Sequence, residues 1–237
     1  MTPAGPGVAG GLLGSAVLVN RAELAASVAQ RHGEWVVREH LPERLAIPGF
    51  LRGRRYVAAL PDEPGAVRYA TLYETSDVAV LASPAYLDRL DRPTERTRSL
   101  TGASRAGRRT AARVVSSAGG GTGGLLVLAA FPRPPEDAAA GAALAALLAP
   151  LAQRPGVLAV HLCQSVDEVT TAKEATCEAA LAPGRSGVRE WLVLVEAYEQ
   201  AAAAEVRDEL RAAGSTGGPL LPGTVEDYRL QVLMTAT

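Results

Sequence analysis

One stretch, Trp35 to Val57 (WVVREHLPERLAIPGFLRGRRYV), gathers side chains able to do chemistry that the rest of an alanine-rich chain lacks: Trp35, His40, Arg44, Arg52, Arg54, Arg55 and Tyr56. Histidine exchanges protons near neutral pH, and arginine can hold the oxyanion that such a transfer leaves behind. His40 is therefore the candidate acid/base. Glu39 and Glu43 flank it, and because adjacent helical residues diverge by about 100°, Glu43 is the better placed to orient the imidazole. The strand expected after Gly49 alternates, setting Phe50, Arg52, Arg54 and Tyr56 on one face and Leu51, Gly53, Arg55 and Val57 on the other. Arg54 is the candidate oxyanion holder. Trp35, Arg52, Tyr56, Tyr69, Tyr73 and His161 are the candidate walls of a pocket for an anionic or enolate-forming aromatic ligand.

Each of these has a blander reading. His40 can cap the loose carbonyls of a helix end. The arginines can pair with Glu74 and Glu196, and His161 can be a hydrogen-bonded core residue in an apolar strand. The three histidines, His32, His40 and His161, show no HxxxH or carboxylate cluster at ligand spacing, so no metal centre and no cofactor is expected. Cys163 and Cys177 form no CxxC, which points to a reducing, cytoplasmic compartment. Gly119 to Gly124 lacks the GKS/T of a phosphate loop, and neither Ser83 nor Ser186 lies in a nucleophile elbow.

The elements that must position these groups follow from periodicity. Residues 15–20 read as a strand, and a helix is expected from about Asn20. Pro42 cannot donate to the carbonyl of Arg38, so that helix should loosen at His40 or Leu41, leaving His40 at a helix C-terminus whose dipole favours its cation. Strands are expected at 50–59, 68–74 and 110–116, with a helix at 77–90 interrupted near Pro84. After the Gly-rich run the order returns: strand 125–131, helix 137–153 with Leu144, Leu147, Leu148 and Leu151 in a stripe, a strand after Pro155-Gly156, strand 190–197, helix 200–213 and strand 228–234. Each half reads βαββαβ. The expected organisation is a flexible tail at 1–13, a repeat at 14–118 carrying the site, a flexible linker at 119–124 and a mainly structural repeat at 125–237.

This makes the fold class α+β, two fused ferredoxin-like repeats packed sheet to sheet. The order of elements, with Trp35, His40, Pro48-Gly49 and Arg55-Tyr56-Val57, resembles the EthD-like branch of the dimeric α/β-barrel superfamily. The resemblance implies an intramolecular barrel and one of several chemistries: cofactor-independent oxygenation, isomerisation, or polyketide cyclisation and dehydration. A shared fold does not choose among them.

Net charge is −1 and no basic block stands apart from acidic neighbours, which argues against a nucleic-acid or membrane-surface partner. No apolar run reaches the ~18 residues that span a bilayer. The abundance of Ala, Gly, Pro and Arg suggests a GC-rich bacterial genome. The expected partner is a small molecule, and a homodimer of the fused barrel is compatible with the chain. Proton transfer on a small aromatic or polyketide-like metabolite, by a lyase, cyclase or isomerase of natural-product tailoring, is the leading expectation. Cofactor-free oxygenation of the same class and a non-catalytic binding or assembly module are the alternatives; the last expects a lumen filled by its own side chains and no cavity above a few hundred Å3 beside His40, against the ~300–1,000 Å3 usual for ligand sites.

Overall fold

Val17, Val19 and Arg21 alternate with Leu18, Asn20 and Ala22 along β1 (Ala16–Ala25), a strand that outruns the helix start expected at Asn20. All ten of its residues pair with a neighbouring strand, so sheet pairing overrides the local capping signal and the helix begins at Ala26. In this computed structural model, residues 11–59, 65–133, 140–181, 189–215 and 223–237 are described. After β1 come α1 (Ala26–Trp35), a π-helical turn (Val36–His40), α2 (Leu41–Leu45), β2 (Phe50–Ala58), β3 (Ala66–Thr75), a 3-10 turn (Val78–Ala82), α3 (Pro84–Asp91), α4 (Glu95–Thr101) and β4 (Arg105–Gly119). The second half supplies β5 (Leu125–Pro132), α5 (Ala140–Leu148), a 3-10 turn (Ala149–Gln153), β6 (Val157–Ser165), α6 (Asp167–Glu174), α7 (Cys177–Ala180), β7 (Glu190–Ala197), α8 (Gln200–Ser215) and β8 (Thr224–Thr235). The start of the helix expected from residue 137 lies outside the described residues.

The strands close into one barrel in the order β1-β3-β2-β8-β5-β7-β6-β4. Each half keeps the ferredoxin-like order, fourth strand beside first, first beside third, third beside second. The halves join where β2 pairs with β8 and β6 with β4, both antiparallel. This is the intramolecular dimeric α/β barrel, and its closure leaves no strand edge open.

The sheet therefore has two faces, lumen and helix-covered. Val17, Val19, Leu72, Leu126, Leu128, Leu192 and Leu194 form the apolar belt of the lumen. On the outside, α5 and α8 cover Val127, Val160, Val193 and Val195, while the helices of the first half cover Leu18, Phe50, Tyr73 and Ala111. Leu144, Leu148 and Leu151 of the expected stripe are buried there, and Leu147 is exposed.

Both strands that follow a Pro-Gly carry the same irregularity, a β-bulge between Phe50 and Arg52 and between Val157 and Ala159. The extra residue shifts Phe50 off the face of Arg52 and Arg54 and onto the helix side, against Tyr73 and Tyr86 (ring centroids 5.7 and 5.4 Å). Strict alternation puts Phe50 on the face of Arg52 and Arg54; with the bulge it belongs to the outer core of its half, as Val157 does in the other.

The Gly-rich connection and residues 11–15 ahead of β1 are seated on the barrel. Leu12 is buried with the lumen belt, and the Leu13 amide donates to Glu74 (2.8 Å). The Gly123 amide donates likewise to Glu196 (3.0 Å), and a Cβ on Gly123 would stand 2.1 Å from the Ala197 carbonyl oxygen.

Candidate functional site

The helix carrying His40 does not end where Pro42 predicts. Pro42 has no N–H for the Arg38 carbonyl, and the chain accommodates this by widening one turn: the Leu41 amide bonds to the Val36 carbonyl, five residues back, and helical geometry continues to Leu45. His40 thus sits inside a π turn and not at a helix C-terminus, so the dipole argument for an imidazolium fails. Its surroundings act the other way. Burial, then Arg44, His32, Arg89 and Arg55, hold its pKa well below the ordinary 6.5, and the imidazole is neutral.

The ring lies against Trp35 (centroids 4.6 Å, 39° between planes) and edge-on to Tyr73 at 6.2 Å. Trp35 in turn contacts His32, which contacts Tyr69. Together they border a hollow between the first half's helices and the outer face of β1 and β3, with Arg44, Tyr86, Arg109, Lys173 and Glu178 around the rest of it. Tyr69, Thr71 and Tyr73 share one parity of β3, which explains why all three reach it.

Several polar atoms of the hollow are unanswered. Trp35 Nε1, His40 Nδ1, Tyr73 Oη, and one terminal nitrogen each of Arg44 and Arg109 are buried without a hydrogen-bond partner. Arg55 stands behind them over the Tyr69 ring (4.8 Å). Buried polar atoms are ordinarily paired, so five such atoms around one hollow mark it as built for something other than packing. Burial raises the Tyr73 phenol far above its usual range, so it is a neutral donor. The free space is about 70 Å3, well below what a ring-sized ligand needs.

The other expected site residues are elsewhere. Arg52, Arg54, Tyr56 and His161 line the lumen, across the sheet from His40. Register makes this plain: Arg54 pairs with Leu72 of the lumen belt, and Gly53 with Tyr73 of the outer face. Arg54 is fully buried, 3.0 Å from Glu74, ion-paired to Glu196 and donating to the Tyr56 hydroxyl (2.8 Å), while Arg52 also pairs with Glu74 (2.8 Å). Two arginines and two glutamates neutralise one another there. His161 bonds Ser117 Oγ through Nδ1 (2.9 Å), and burial, then Arg54 and Arg52, push its pKa down to about 4. In the lumen the charge of Arg54 is already answered by Glu74 and Glu196, which leaves it structural and not an oxyanion holder for His40 chemistry on the other face. Glu43 does not orient His40 either; it pairs with Arg89 (2.6 Å), and Glu39 accepts hydrogen bonds from Thr94 and Thr97.

Periodicity missed Arg109, Tyr86 and Glu178, and Arg44 was noticed only as part of the polar run. Arg44 could have been found: it lies four residues after His40, one helical turn on. Glu178 could not, because it arrives from the second half. The β6–β7 connection there holds α6 and α7, which reach the first half and bring Lys173 and Glu178 to the hollow. Glu178 pairs with buried Arg44 at 2.5 Å, a partner that, with burial opposing it, raises the guanidinium pKa further. The second half is thus more than scaffold. Its own helix-covered face is apolar, with Trp191, Val193 and Val195 where the first half has Tyr69, Thr71 and Tyr73. Among the described residues, no three His, Cys, Asp or Glu side chains could together hold a metal ion.

No protein-family model matches the sequence, and no curated protein matches it. Solved structures do resemble it in fold. An anthrone oxidase-like protein superposes with a TM-score of 0.62 at 15% identity, covering 94% of this chain and 93% of that one. A candidate monooxygenase from Fusobacterium nucleatum gives 0.56 at 8% identity (94% and 96% covered), and one from Lactobacillus acidophilus 0.53 at 10% (94% and 97%). At such identities the likeness concerns the barrel alone.

Proposed function

We propose, from an intramolecular dimeric α/β barrel with one polar and one apolar helix-covered face, that the chain is an enzyme acting at the polar one by moving a proton on a small aromatic or polyketide-like substrate. The observation that carries this is the neutral, half-buried His40, its buried Nδ1 unpartnered, beside the unanswered donors of Tyr73, Trp35, Arg44 and Arg109. A neutral imidazole accepts a proton from an acidic C–H or phenol. The enolate or phenolate that results needs donors already in place and shielded from water, and the hollow supplies them. Trp35 offers a flat wall for the ring. Protonation at a second carbon then gives isomerisation, and attack on a carbonyl or loss of a leaving group gives cyclisation or elimination, as in natural-product tailoring.

A second reading shares the first step. The fold neighbours described as anthrone oxidase-like and as candidate monooxygenases give a reason to consider oxygenation, in which the carbanion reduces dioxygen and a methylene becomes a carbonyl with release of water. We also place the protein in the cytoplasm, since Cys163 and Cys177 are both free thiols. No helix of the described residues is long and apolar enough to cross a membrane.

The test is hydrogen–deuterium exchange at the acidic carbon of hydroxylated aromatic ketones, followed by NMR in D2O. Exchange that depends on the protein and is lost in His40→Ala supports the proposal; exchange at the native rate in His40→Ala overturns the role of His40. Oxygen uptake accompanying turnover selects the second reading.

A further inference from the structure

The inference here rests on the site proposed above and specifies what it takes. Two guanidinium groups, those of Arg44 and Arg109, line the hollow, and the Glu178 carboxylate there pairs with Arg44. That carboxylate stands nearer the outside than its partner, its side chain 15% exposed against 3% for Arg44. It is carried on a four-residue helix of the other half, whose neighbouring Cys177 amide bonds Asp91 at the surface (2.9 Å). We infer that the ligand bears a carboxylate which takes the place of Glu178 on Arg44, Glu178 being a built-in competitor that occupies the guanidinium while the site is empty.

The physical case has two parts. A buried guanidinium stripped of its partner is strongly destabilising, so Glu178 leaves only if another anion arrives. A ligand carboxylate meets that condition: the number of buried charges is the same before and after, while Glu178 gains water. A neutral ligand of the same shape must coexist with Glu178 in a hollow of about 70 Å3, which excludes a benzene-sized ring. Withdrawal of Glu178 removes a wall of that hollow. One exchange therefore admits the ligand and selects its charge. The unpartnered nitrogens of Arg44 and Arg109 then have an acceptor.

Benzoate and benzamide are the probes, because they differ in charge and hardly in shape. The chain has two tryptophans, so indole 15N-labelled protein reports the site through Trp35 and the second half's core through Trp191. Benzoate is expected to shift Trp35 saturably, with benzamide at least about tenfold weaker. Glu178→Gln, lacking the competitor, should bind benzoate about tenfold more tightly, with the Trp191 resonance in its native position. Should that variant not fold, Glu178→Asp, whose shorter side chain holds Arg44 less well, should tighten benzoate binding by a smaller factor. Equal binding of the two probes, no response of Trp35 to benzoate, or no tightening in either variant overturns the inference. The measurement needs no turnover. Loss of exchange chemistry in His40→Ala with the benzoate preference absent would leave the proton-transfer reading standing alone, and native exchange in His40→Ala with the preference present would leave only this one.

Discussion

The imidazole of His40 lies 4.6 Å, centroid to centroid, from the indole of Trp35, and each ring keeps a buried nitrogen without a partner. Burial of Nδ1 beside the indole, with nearby Arg44, adds to the cost of charging the imidazole, so it works as a neutral base below the pH at which an ordinary histidine protonates. The acid limb of kcat/KM should therefore fall below pH 6.5, with activity flat from there to neutrality. His40→Ala should lose about a hundredfold or more in kcat/KM. An acid limb at or above 6.5 would contradict the neutral imidazole.

Arg54 gives a contrasting expectation. Its partners Glu74 and Glu196 hold corresponding places in the two halves, opposite Arg52 and Ala159, so the ion cluster ties the halves together through the lumen. Arg54→Met strands the buried carboxylate of Glu196, whereas Glu74 keeps Arg52, and should cost about 3–5 kcal/mol in urea unfolding. Because the cluster lies across the sheet from the hollow, kcat/KM per folded molecule should stay within about twofold of native, against the 10²-fold or greater loss that removal of an oxyanion donor causes.

The architecture was legible because it is written in periodicity: βαββαβ twice, with both Pro-Gly turns in matching places. The site was legible only in part, and the reason is geometric. Trp35 and His40 ride on a helix, the helices cover one face of each sheet, and the bare faces make the lumen. A helix-borne histidine and a lumen arginine must then stand on opposite sides of the sheet, and the sequence reading that joined His40 to Arg54 did not apply this constraint. Arg55, on the parity of Gly53 and Leu51, was the arginine on the histidine's side. The bulge after each Pro-Gly and the crossing of α7 to the other half leave no mark in local pattern, since both are set by contacts distant in sequence.

His161 makes a different demand on pH. In the folded protein its pKa is about 4, against 6.5 when unfolded, so between those values the unfolded chain binds a proton that the folded one refuses. Stability should fall as pH drops from 6.5 toward 4, by roughly 3 kcal/mol from this residue. His161→Gln cannot take up that proton in either state. The difference in urea-unfolding free energy between pH 7 and pH 4 should therefore shrink by that amount in the variant, with the titration of carboxylates cancelling in the comparison. An unchanged difference would mean that His161 is charged in the fold.

The Gly-rich connection offers a last test, because its composition reads as an interchangeable spacer and its surroundings do not. The backbone of Gly123 passes so close to β7 that a Cβ would lie 2.1 Å from the Ala197 carbonyl oxygen, and its amide is one of the bonds satisfying Glu196. Backbone cannot rotate away as a side chain can. Gly123→Ala must move either the connection or the strand end, loosening Glu196 from its donor and, through it, Arg54. A cost of about 1–3 kcal/mol is expected. Gly124→Ala is the control, since nothing lies within 4 Å of a Cβ there; equal melting temperatures for the two variants would show that the segment is a passive spacer.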